Sequence, residues 1–322
     1  MGISEFALIK RYFSDGMAAR SDVLLGVGDD AALLLPAAGQ SLALSLDTLV
    51  AGVHFPVTTS AENIGYKTLA VNLSDMAAMG AEPAWMLLGL TLPTVDELWL
   101  QGFCYGLSQL AAEHQVALVG GDTTRGPLTI SLQICGFVPA SQALRRDGAQ
   151  AGDLIYVTGQ LGDAGVGLQL ALARCELMLE PNRRDYFISR LERPTPRVAA
   201  GLALRGVATA AIDISDGLAG DLGHILTASG VGATLNVDAL PVAVEVKALS
   251  REWWDLPLTA GDDYELCFTV PAGREPALER ALRQSGCAVT CIGQIETEPG
   301  LRLQHDSGEA ILNRTKGYQH FV

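Results

Sequence analysis

Residues 70–81 read AVNLSDMAAMGA, and they complete the clearest helical pattern of the chain, which spans residues 62–79. Three apolar side chains recur at helical spacing and predict the buried face of that helix: Leu69, Leu73 and Met76. Three short polar side chains recur at i, i+4 and i+7 on the opposite face: Thr68, Asn72 and Asp75. A solvated face normally carries long Lys and Glu side chains, so this stripe of short ones predicts a surface that coordinates or positions an ion.

Strand patterns lie on both sides of this helix. Residues 41–50 alternate, with Leu42, Leu44 and Leu46 on one face. Further strands are predicted at residues 116–119, 129–138, 154–158, 207–214, 265–270 and 288–295. Further helices are predicted at residues 97–114, 165–174, 196–205 and 217–228. Such a mixture of strands and helices indicates an α/β or α+β fold.

Length and composition allow two domains. The chain has 322 residues, of which 49% are hydrophobic, so a sizeable core is available to each half. A polar segment with Gly148 and Gly152 interrupts the pattern, and a strand begins again at Leu154. We therefore expect an N-terminal domain at residues 1–138, a junction at 139–153 and a C-terminal domain at 154–322.

Net charge and hydropathy argue against several classes of protein. The formal net charge is −14 and the longest basic cluster is Arg145-Arg146, which is not the basic patch of a nucleic-acid binder. The longest apolar run, residues 85–92, falls short of the ~18 residues of a membrane span, and the first eleven residues lack a secretory signal pattern. We expect a cytoplasmic protein. Its acidic field repels phosphate-rich ligands unless cations neutralise it.

The six cysteines do not predict a zinc site. They are scattered, no CxxC occurs, and Cys287 and Cys291 form a CxxxC with no second ligand pair after it. We expect buried free thiols in a reducing compartment.

Acidic residues occur where predicted strands and helices meet turns. The six segments are Gly28-Asp29-Asp30, Asp47-Thr48, Ser74-Asp75, Gly120-Gly121-Asp122, Asp213-Ile214-Ser215-Asp216 and Gly261-Asp262-Asp263. A turn or a helix N-cap explains each one alone. Together they predict one shared cleft, because the ends of neighbouring strands converge. Several carboxylates in one cleft need cations, and oxygen ligands of this kind suit Mg²⁺ with a phosphate-bearing substrate.

None of the common nucleotide-binding motifs accompanies these acids. The Walker A, HRD and DFG sequences are absent. A glycine-rich run at residues 158–165 follows a predicted strand and opens a helix, so its backbone amides could bind phosphate. A plain strand-to-helix turn explains the same run at least as well.

Nine stretches follow one another in a recognisable order. They are EFALI at 5–9, GDDAA at 28–32, SLDTLV at 45–50, GVHF at 52–55, the run 65–83, GGDT at 120–123, DISDGL at 213–218, DYEL at 263–266 and GYQHF at 317–321. In this order they resemble the thiamine-monophosphate kinase family of the PurM-like ATP-binding superfamily. The match covers nearly the whole chain, and NLSDMAAMG is its most specific part.

The resemblance implies a PurM-like two-domain architecture, with an N-terminal mixed sheet that pairs across a homodimer and a C-terminal α/β domain. It also implies direct phosphoryl transfer from ATP to thiamine monophosphate, giving thiamine diphosphate. The acceptor phosphate is already anionic, so we expect no general base and no phosphoenzyme. Catalysis is then expected to rest on positioning and on several Mg²⁺ ions.

The same resemblance assigns the site residues. Magnesium would be held by Asp30, Ser45, Leu46, Asp47, Asp75, Asp122, Asp213 and Asp216, with Leu46 acting through its backbone oxygen. ATP would contact Tyr105, Gly121, Asp122, Arg146 and Ser215. Thiamine monophosphate would contact His54, Asp262 and Tyr318.

Some of these assignments have competing interpretations. Tyr105 fits a core aromatic on a helix, His54 is as readily structural, and Arg146 is hard to separate from its neighbour Arg145. The family usually has Glu at position 262 and Trp at position 318, where this chain has Asp and Tyr. Both changes keep the carboxylate or the aromatic face, so they concern substrate contact rather than the reaction.

Two other functions stay open on the sequence. One is another PurM-like ATP-using enzyme such as aminoimidazole-ribonucleotide synthetase, against which the tail GYQHF argues. The other is a non-catalytic protein that binds cations or nucleotides. The retention of all the metal aspartates together with that tail argues against it.

Overall fold

The computed structural model describes residues 10–14, 18–175, 177–249 and 252–311. The chain folds into two compact units. The first comprises Met1–Met76 with Ala81–Ser141, and the second comprises Ala77–Gly80 with Gln142–Val322. None of the helices in the described ranges is both long and apolar enough to cross a bilayer.

The first unit contains a short antiparallel pair and a mixed four-stranded sheet. Its strands are β1 (Val23–Leu25), β2 (Leu33–Leu34), β3 (Gln40–Val50), β4 (Glu82–Leu92), β5 (Ala117–Arg125) and β6 (Thr129–Pro139). The sheet has the order β3-β6-β4-β5, in which β6 is antiparallel to both of its neighbours and β4 is parallel to β5. Val23 and Leu34 of the short pair pack against a core cluster that contains Trp85 and Phe137.

Two helices of the first unit, α1 (Ala61–Ala78) and α2 (Glu97–Glu113), cross at a pair of glycines. A Cβ on Gly65 would lie 2.0 Å from the carbonyl oxygen of Phe103, and a Cβ on Gly106 would lie 1.9 Å from that of Glu62. Real Cβ atoms do not come this close to backbone, so only glycine fits at either position. The glycine pair therefore sets the distance between the helices, and with it the place of Asp75 on α1.

Strand β4 is not predicted from the sequence. Many of its side chains are buried, among them Trp85, Met86, Leu88 and Leu90. A strand that is covered on both faces has a continuous apolar run instead of alternation. In the sequence, residues 85–92 are therefore seen only as an apolar run that is too short to span a membrane. In the structure they form a central strand of the sheet.

The second unit is built on a seven-stranded sheet. Its strands are β7 (Leu154–Thr158), β8 (Ala210–Asp213), β9 (Gly232–Asn236), β10 (Leu266–Val270), β11 (Val289–Glu296), β12 (Gly300–Gln304) and β13 (Ala310–Ile311). Their order is β13-β12-β9-β11-β7-β10-β8, and β9 with β12 is the one parallel pair within this described sheet. The predicted strand at 207–214 shortens to β8, because the N–H groups of Val207 and Ala208 bond to the carbonyl of Leu204 in a turn.

Helices cover this second sheet. They are α3 (Asp163–Ala171), α4 (Pro181–Glu192), α5 (Val198–Ala203), α6 (Leu218–Ser229), α7 (Val244–Leu249), α8 (Asp255–Thr259) and α9 (Glu275–Leu282). Ile155 and Ile212 of the sheet pack with Leu222 and Ile225 of α6 in the main core of the unit. This packing fixes the end of β8, where the aspartate loop begins. The predicted α/β (α+β) class with two mixed units is confirmed.

Candidate functional site

Asp75 on α1 and Asp47 on β3 bring two carboxylates together. Ser45 lies on the same face of β3 as Asp47 and donates its hydroxyl to Oδ2 of Asp75. Burial, and then the neighbouring charge of Asp75, raise the pKa of Asp47 to about 7. Two carboxylates this close repel each other unless a proton or a cation lies between them. Three predicted metal ligands therefore form one group of oxygen donors, the Asp47–Asp75 cluster.

The stripe of short polar side chains on α1 is only partly available to a ligand. Thr68 donates its hydroxyl to the carbonyl of Ile64 at 2.8 Å, and Asn72 donates its amide to the carbonyl of Thr68 at 3.0 Å. Both side chains are fully buried. Each bonds the backbone of its own helix one turn back, so of the three stripe residues only Asp75 is partly exposed, while the buried Oδ1 of Asn72 has no hydrogen-bond partner among the described residues.

A cleft of about 410 Å³ in the first unit brings two other acidic segments together. Its lining includes Asp29, Asp30, Gly121 and Asp122, and both Asp30 and Asp122 are exposed. Gly121 has φ +153, and a Cβ there would lie 1.9 Å from the carbonyl oxygen of Leu88. Only glycine lets β5 run this close to β4. The cleft thus offers carboxylates beside bare backbone, which suits a phosphate that carries a cation.

The two acidic groups of the first unit lie on different strands of one sheet. Asp47 is opposite Leu132, Leu132 is opposite Leu88, and Leu88 is beside Gly121. Three interstrand spacings of about 4.8 Å put about 14 Å between Asp47 and Gly121. Within the described residues, no three His, Cys, Asp or Glu side chains are grouped as one metal site. A single ligand that contacted both groups would have to span this distance.

Two of the acidic segments lie inside strands, not at the strand ends where the sequence pattern predicts them. β3 continues past Asp47 to Val50, and β5 continues past Asp122 to Arg125. The predicted strand end at residue 119 is a β-bulge, where the pairing of β4 with β5 shifts register. Two successive glycines look like a turn in the sequence, but here they accommodate the bulge.

In the second unit, Asp213 ends β8, and the loop after it carries Ser215 and Asp216. Asp213 is buried, and the other two are partly exposed. Asp221 is not among the predicted site residues, yet its Oδ2 accepts the N–H of Asp216 at 3.0 Å. Burial raises the pKa of Asp221 to about 7, and the charge of Asp216 adds to the rise. Asp221 lies in the first turn of α6 and accepts an N–H of the loop before the helix. An acidic residue in the first helical turn is a recognisable sequence signal for such a contact, and it identifies Asp221 as the residue that fixes this loop.

Arg145 and Arg146 differ in what their guanidinium groups contact. Arg145 donates to the two carboxylate oxygens of Asp147 at 2.9 Å and 2.5 Å. The positive charge of Arg146 opposes the rise in the pKa of the buried Asp221. In the described part of the chain, the Arg146 guanidinium forms no salt bridge. Arg145 thus already has a carboxylate partner, whereas Arg146 has none among the salt bridges of the described residues.

Asp262 lies in an unusual backbone segment between α8 and β10. Asp262 has φ 72° and Tyr264 has φ 49°, a left-handed conformation that is rare outside glycine. The N–H of Asp262 donates to the carbonyl of Ser215 at 2.9 Å, and the N–H of Tyr264 donates to that of Ile214 at 2.8 Å. A predicted acceptor residue and a predicted nucleotide residue are thus neighbours. Tyr318 lies outside the described residues, and its role stays a prediction.

The glycine-rich run at residues 158–165 does not keep its amides open for a phosphate. The N–H of Gly162 donates to Oδ2 of Asp263 at 2.7 Å, and the N–H of Ala164 donates to Oδ1 at 3.3 Å. Asp263 is fully buried, so a side chain of the protein itself occupies the N-terminus of α3. Of the two interpretations of this run, the plain strand-to-helix turn is confirmed.

Asp263→Asn is expected to make the stability of the protein less dependent on pH. Burial raises the pKa of Asp263 from 3.8 to about 8. Because the raised value belongs to the folded state, the stabilisation is fully present below pH 4 and is lost as the pH rises through about 8. Asparagine cannot titrate, so the stability of the variant relative to the wild type should rise steadily from about pH 4 to about pH 8 and stay constant above that. Thermal unfolding across this range measures the difference.

The matched control is Asp147→Asn. Its partner Arg145 lowers the pKa of the exposed Asp147, which therefore titrates only in acid. This control should reproduce the wild-type pH profile above pH 6. An Asp263→Asn profile parallel to that of the wild type would contradict the assignment.

His54 and Tyr105 have different surroundings. Nδ1 of His54 accepts the N–H of Val50 at 3.0 Å, which gives one ring nitrogen a structural role at the end of β3. Tyr105 is 55% exposed on α2, so the interpretation of a core aromatic is wrong. Phe103 and Leu107 take the buried side of that helix instead. An exposed ring of this kind is able to stack on a nucleotide base.

The six cysteines are free thiols. Cys135 and Cys267 are buried as expected, Cys291 is exposed, and the other three are only partly buried, so the expectation of burial is confirmed for two of the six and wrong for Cys291. The reason is its place on an outward-facing position of β11, a strand whose side chains are only partly covered.

Comparison with known proteins gives a consistent result. The model of the N-terminal domain of AIR synthase related proteins matches residues 28–138, and the model of their C-terminal domain matches residues 150–306. The thiamine-monophosphate kinase of Salmonella typhimurium is 50% identical over 328 aligned positions, covering 100% of this chain and 99% of the relative.

Two solved structures are similar over almost the whole chain. The thiamine-monophosphate kinase from Stenotrophomonas maltophilia K279a has a TM-score of 0.86 and 48% identity, covering 97% of this chain and 99% of its own. The structure of AaThiL complexed with AMPPCP and TMP has a TM-score of 0.76 and 30% identity, covering 100% and 99%.

Proposed function

This chain belongs to the thiamine-monophosphate kinase family, and from that premise we propose that it phosphorylates thiamine monophosphate with ATP, giving thiamine diphosphate. The observation that carries the proposal is the full-length match at 50% identity to a thiamine-monophosphate kinase. The neighbour complexed with AMPPCP and TMP, which shares the fold throughout, supports it. So does the geometry, since acidic loops with accessible oxygens occur in both units.

We propose Mg²⁺ as the cation of these acidic groups. The proposed donors are all oxygens: the carboxylates of Asp30, Asp47, Asp75, Asp122, Asp213 and Asp216, the hydroxyl of Ser45 and the backbone carbonyl of Leu46. Burial, and then the charge of Asp75, raise the pKa of Asp47, and a cation bound there would replace the proton that these two effects favour. When bound, Mg²⁺ neutralises phosphate charge on both substrates and on the leaving diphosphate.

The proposed ATP contacts are Tyr105, Gly121, Asp122, Arg146 and Ser215. Three observations support them. The exposed ring of Tyr105 offers a stacking surface, the bare backbone at Gly121 allows a phosphate to approach, and the guanidinium of Arg146 forms no salt bridge with a described carboxylate.

The transfer itself needs little acid–base chemistry from the protein. A phosphate oxygen of thiamine monophosphate is anionic at neutral pH, so the attacking atom carries no proton that a side chain must remove. The residues of the site have to hold the two phosphates in line and offset their mutual repulsion. We therefore assign positioning roles and propose no general base and no covalent nucleophile.

Asp262→Ala and Tyr318→Ala are expected to raise the KM for thiamine monophosphate while the KM for ATP stays almost unchanged. The acceptor carries a positive thiazolium and an aminopyrimidine, which a carboxylate and an aromatic face attract. Each variant should lose about 1–2 kcal/mol of acceptor binding, the scale of a desolvated cation–π contact. Steady-state kinetics with each substrate varied in turn measures both constants.

The conservative variants Asp262→Glu and Tyr318→Trp carry the residues that the family usually has, and both should be tolerated. Equal damage to both KM values, or none to that of the acceptor, would show that these residues shape the fold and that the acceptor pocket lies elsewhere.

We propose that the chain forms a homodimer through the sheet of the first unit. Leu42, Leu44 and Leu46 project from one face of β3 and are 46%, 57% and 60% exposed. β3 is also the edge strand of its sheet. A contiguous exposed apolar row of this kind is typical of a surface that another protein covers.

Leu44→Asp is expected to convert the dimer to a monomer. An aspartate in the middle of the leucine row would be buried without a partner when two copies meet. Val57→Asp is the matched control, because Val57 is 80% exposed but lies outside the row. Light scattering at micromolar concentration measures both masses, and a monomeric wild type would refute the proposed dimer.

An assay of ATP consumption with and without thiamine monophosphate tests the function. Formation of ADP and thiamine diphosphate only when the acceptor is present is expected. ATP consumption at the same rate with and without thiamine monophosphate would favour another enzyme of the superfamily, such as aminoimidazole-ribonucleotide synthetase. Nucleotide binding without consumption would favour a non-catalytic protein.

We also propose a cytoplasmic location, which the six free thiols support. Domains at residues 1–138 and 154–322 stay a proposal, supported by family-model matches at 28–138 and 150–306. Nucleic acid and membranes are not proposed as partners of this acidic chain.

A further inference from the structure

Glu265 lies directly before β10 and is fully buried. Arg197 binds its carboxylate at two points, with Nε 2.6 Å from Oε2 and Nη2 2.6 Å from Oε1. Arg190 donates to Oε1 at 2.9 Å, and the hydroxyl of Thr158 donates to Oε2 at 2.7 Å. A Cβ on Gly159 would lie 2.2 Å from Oε1, so the chain also closes tightly over the carboxylate. A buried two-point pair of this kind fixes geometry as well as charge.

The neighbouring Asp263 is held by the same set of contacts. Nη2 of Arg190 donates to the backbone carbonyl of Asp263 at 3.3 Å as well as to Glu265. The Asp263 carboxylate accepts the N–H groups of Gly162 and Ala164. Two buried side chains of one short segment are therefore each fixed by several partners.

These anchored residues alternate with the outward ones. Asp263 and Glu265 are buried, whereas Asp262 and Tyr264 are partly exposed. The two exposed residues have the left-handed backbone, with φ of 72° and 49°. Residues other than glycine keep this conformation only where the surrounding structure enforces it. Here the buried contacts of Asp263 and Glu265, which flank Tyr264, hold the backbone in this conformation.

We propose that Glu265, Arg190 and Arg197 are positioning residues for the acceptor, because their buried ion cluster holds residues 262–264 in the conformation that presents Asp262 to thiamine monophosphate. The inference rests on the proposed function and adds residues that touch no substrate. Both guanidinium groups bond the one carboxylate of Glu265 inside the second unit. The three residues therefore act on the acceptor through the backbone of residues 262–264.

Arg197→Lys is the variant that tests this role. Lysine keeps the positive charge but cannot make the planar two-point contact with Glu265. We expect the KM for thiamine monophosphate to rise on the order of tenfold, as when a binding group is slightly misplaced, and the KM for ATP to stay within about twofold. If this variant does not fold, Arg190→Gln carries the same test, because it removes the link to the Asp263 carbonyl and leaves the Arg197–Glu265 pair in place.

Arg183→Lys is the matched control. Arg183 lies two turns before Arg190 on α4 and donates to Glu245 at 2.7 Å. Its described contacts, which include the rings of Tyr186 and Phe187, do not reach residues 261–265. This variant should keep the wild-type KM for thiamine monophosphate. Unfolding midpoints of all variants ensure that the kinetics are compared on folded protein.

A double variant separates positioning from a general loss of structure. If Arg197 acts through the 262–264 segment, adding Arg197→Lys to Asp262→Ala should raise the acceptor KM by much less than the product of the two single effects. Multiplicative effects, equal rises in both KM values, or an unchanged acceptor KM in Arg197→Lys would overturn the inference. A wild-type chain that does not phosphorylate thiamine monophosphate would instead overturn the proposed function.

Discussion

Asp75→Asn is expected to lower turnover by on the order of 10²–10³-fold, the loss found when one group that stabilises transition-state charge is removed. Asp75 accepts the hydroxyl of Ser45, and its charge acts on Asp47 across the Asp47–Asp75 cluster. Asparagine keeps the shape and one acceptor oxygen but removes the negative charge. The stability of the fold should therefore change little, and it should even rise slightly, because the repulsion between the two carboxylates is gone.

The measurement is turnover at saturating ATP and thiamine monophosphate over a range of magnesium concentrations, beside thermal unfolding of the same samples. Asp147→Asn is the control, because this carboxylate is exposed, paired with Arg145 and not among the proposed metal ligands. Near-normal turnover of Asp75→Asn at low millimolar magnesium would show that Asp75 holds no ion that matters for the reaction.

Gly106→Ala is expected to lower the free energy of unfolding by about 3 kcal/mol, the upper range for forcing an extra carbon into a packed contact. The added Cβ would lie 1.9 Å from the carbonyl oxygen of Glu62 and 3.0 Å from the N of Tyr66. Both are backbone atoms of α1, so no side chain is able to rotate away and the helices must separate. Alanine would favour an isolated helix by about 1 kcal/mol over glycine, so the close approach decides the sign.

Gly223→Ala on α6 is the matched control. Apart from its chain neighbours and the backbone of its own helix, no atom lies within 4 Å of a Cβ at that position, so the helix gains from alanine without a clash. Denaturant unfolding should therefore show this variant to be as stable as the wild type or more so. If Gly106→Ala were equally stable, the two helices would not need the glycine contact.

The fold class and several elements of the structure follow directly from the sequence pattern. The helix predicted at 62–79 is α1, and the alternating strand predicted at 41–50 is β3. α4 is not predicted, because it is strongly polar and buries only Phe187 and Leu191. A short helix made mainly of polar residues is easily taken for a loop.

The candidate site is harder to predict than the elements that carry it. Acidic residues in turns are conspicuous, but the sequence does not show which of them face a ligand and which hold the backbone. Asp262 and Asp263 are adjacent, yet one is partly exposed and the other caps α3. Glu265 looks like the first residue of a strand, and its partners Arg190 and Arg197 lie about seventy residues earlier in the chain. Contacts of this range depend on the tertiary fold.

The leucine row on β3 has a consequence for the newly made protein. If a second copy covers this row, as proposed, each newly folded chain has a long edge strand and three exposed leucines until it meets its partner. Such an edge is a template for non-native strand pairing. Fast synthesis would then raise the concentration of folded but unpaired chains, so the yield of active protein should depend on expression rate and temperature. Chaperones that bind extended apolar segments should raise that yield most when synthesis is fastest.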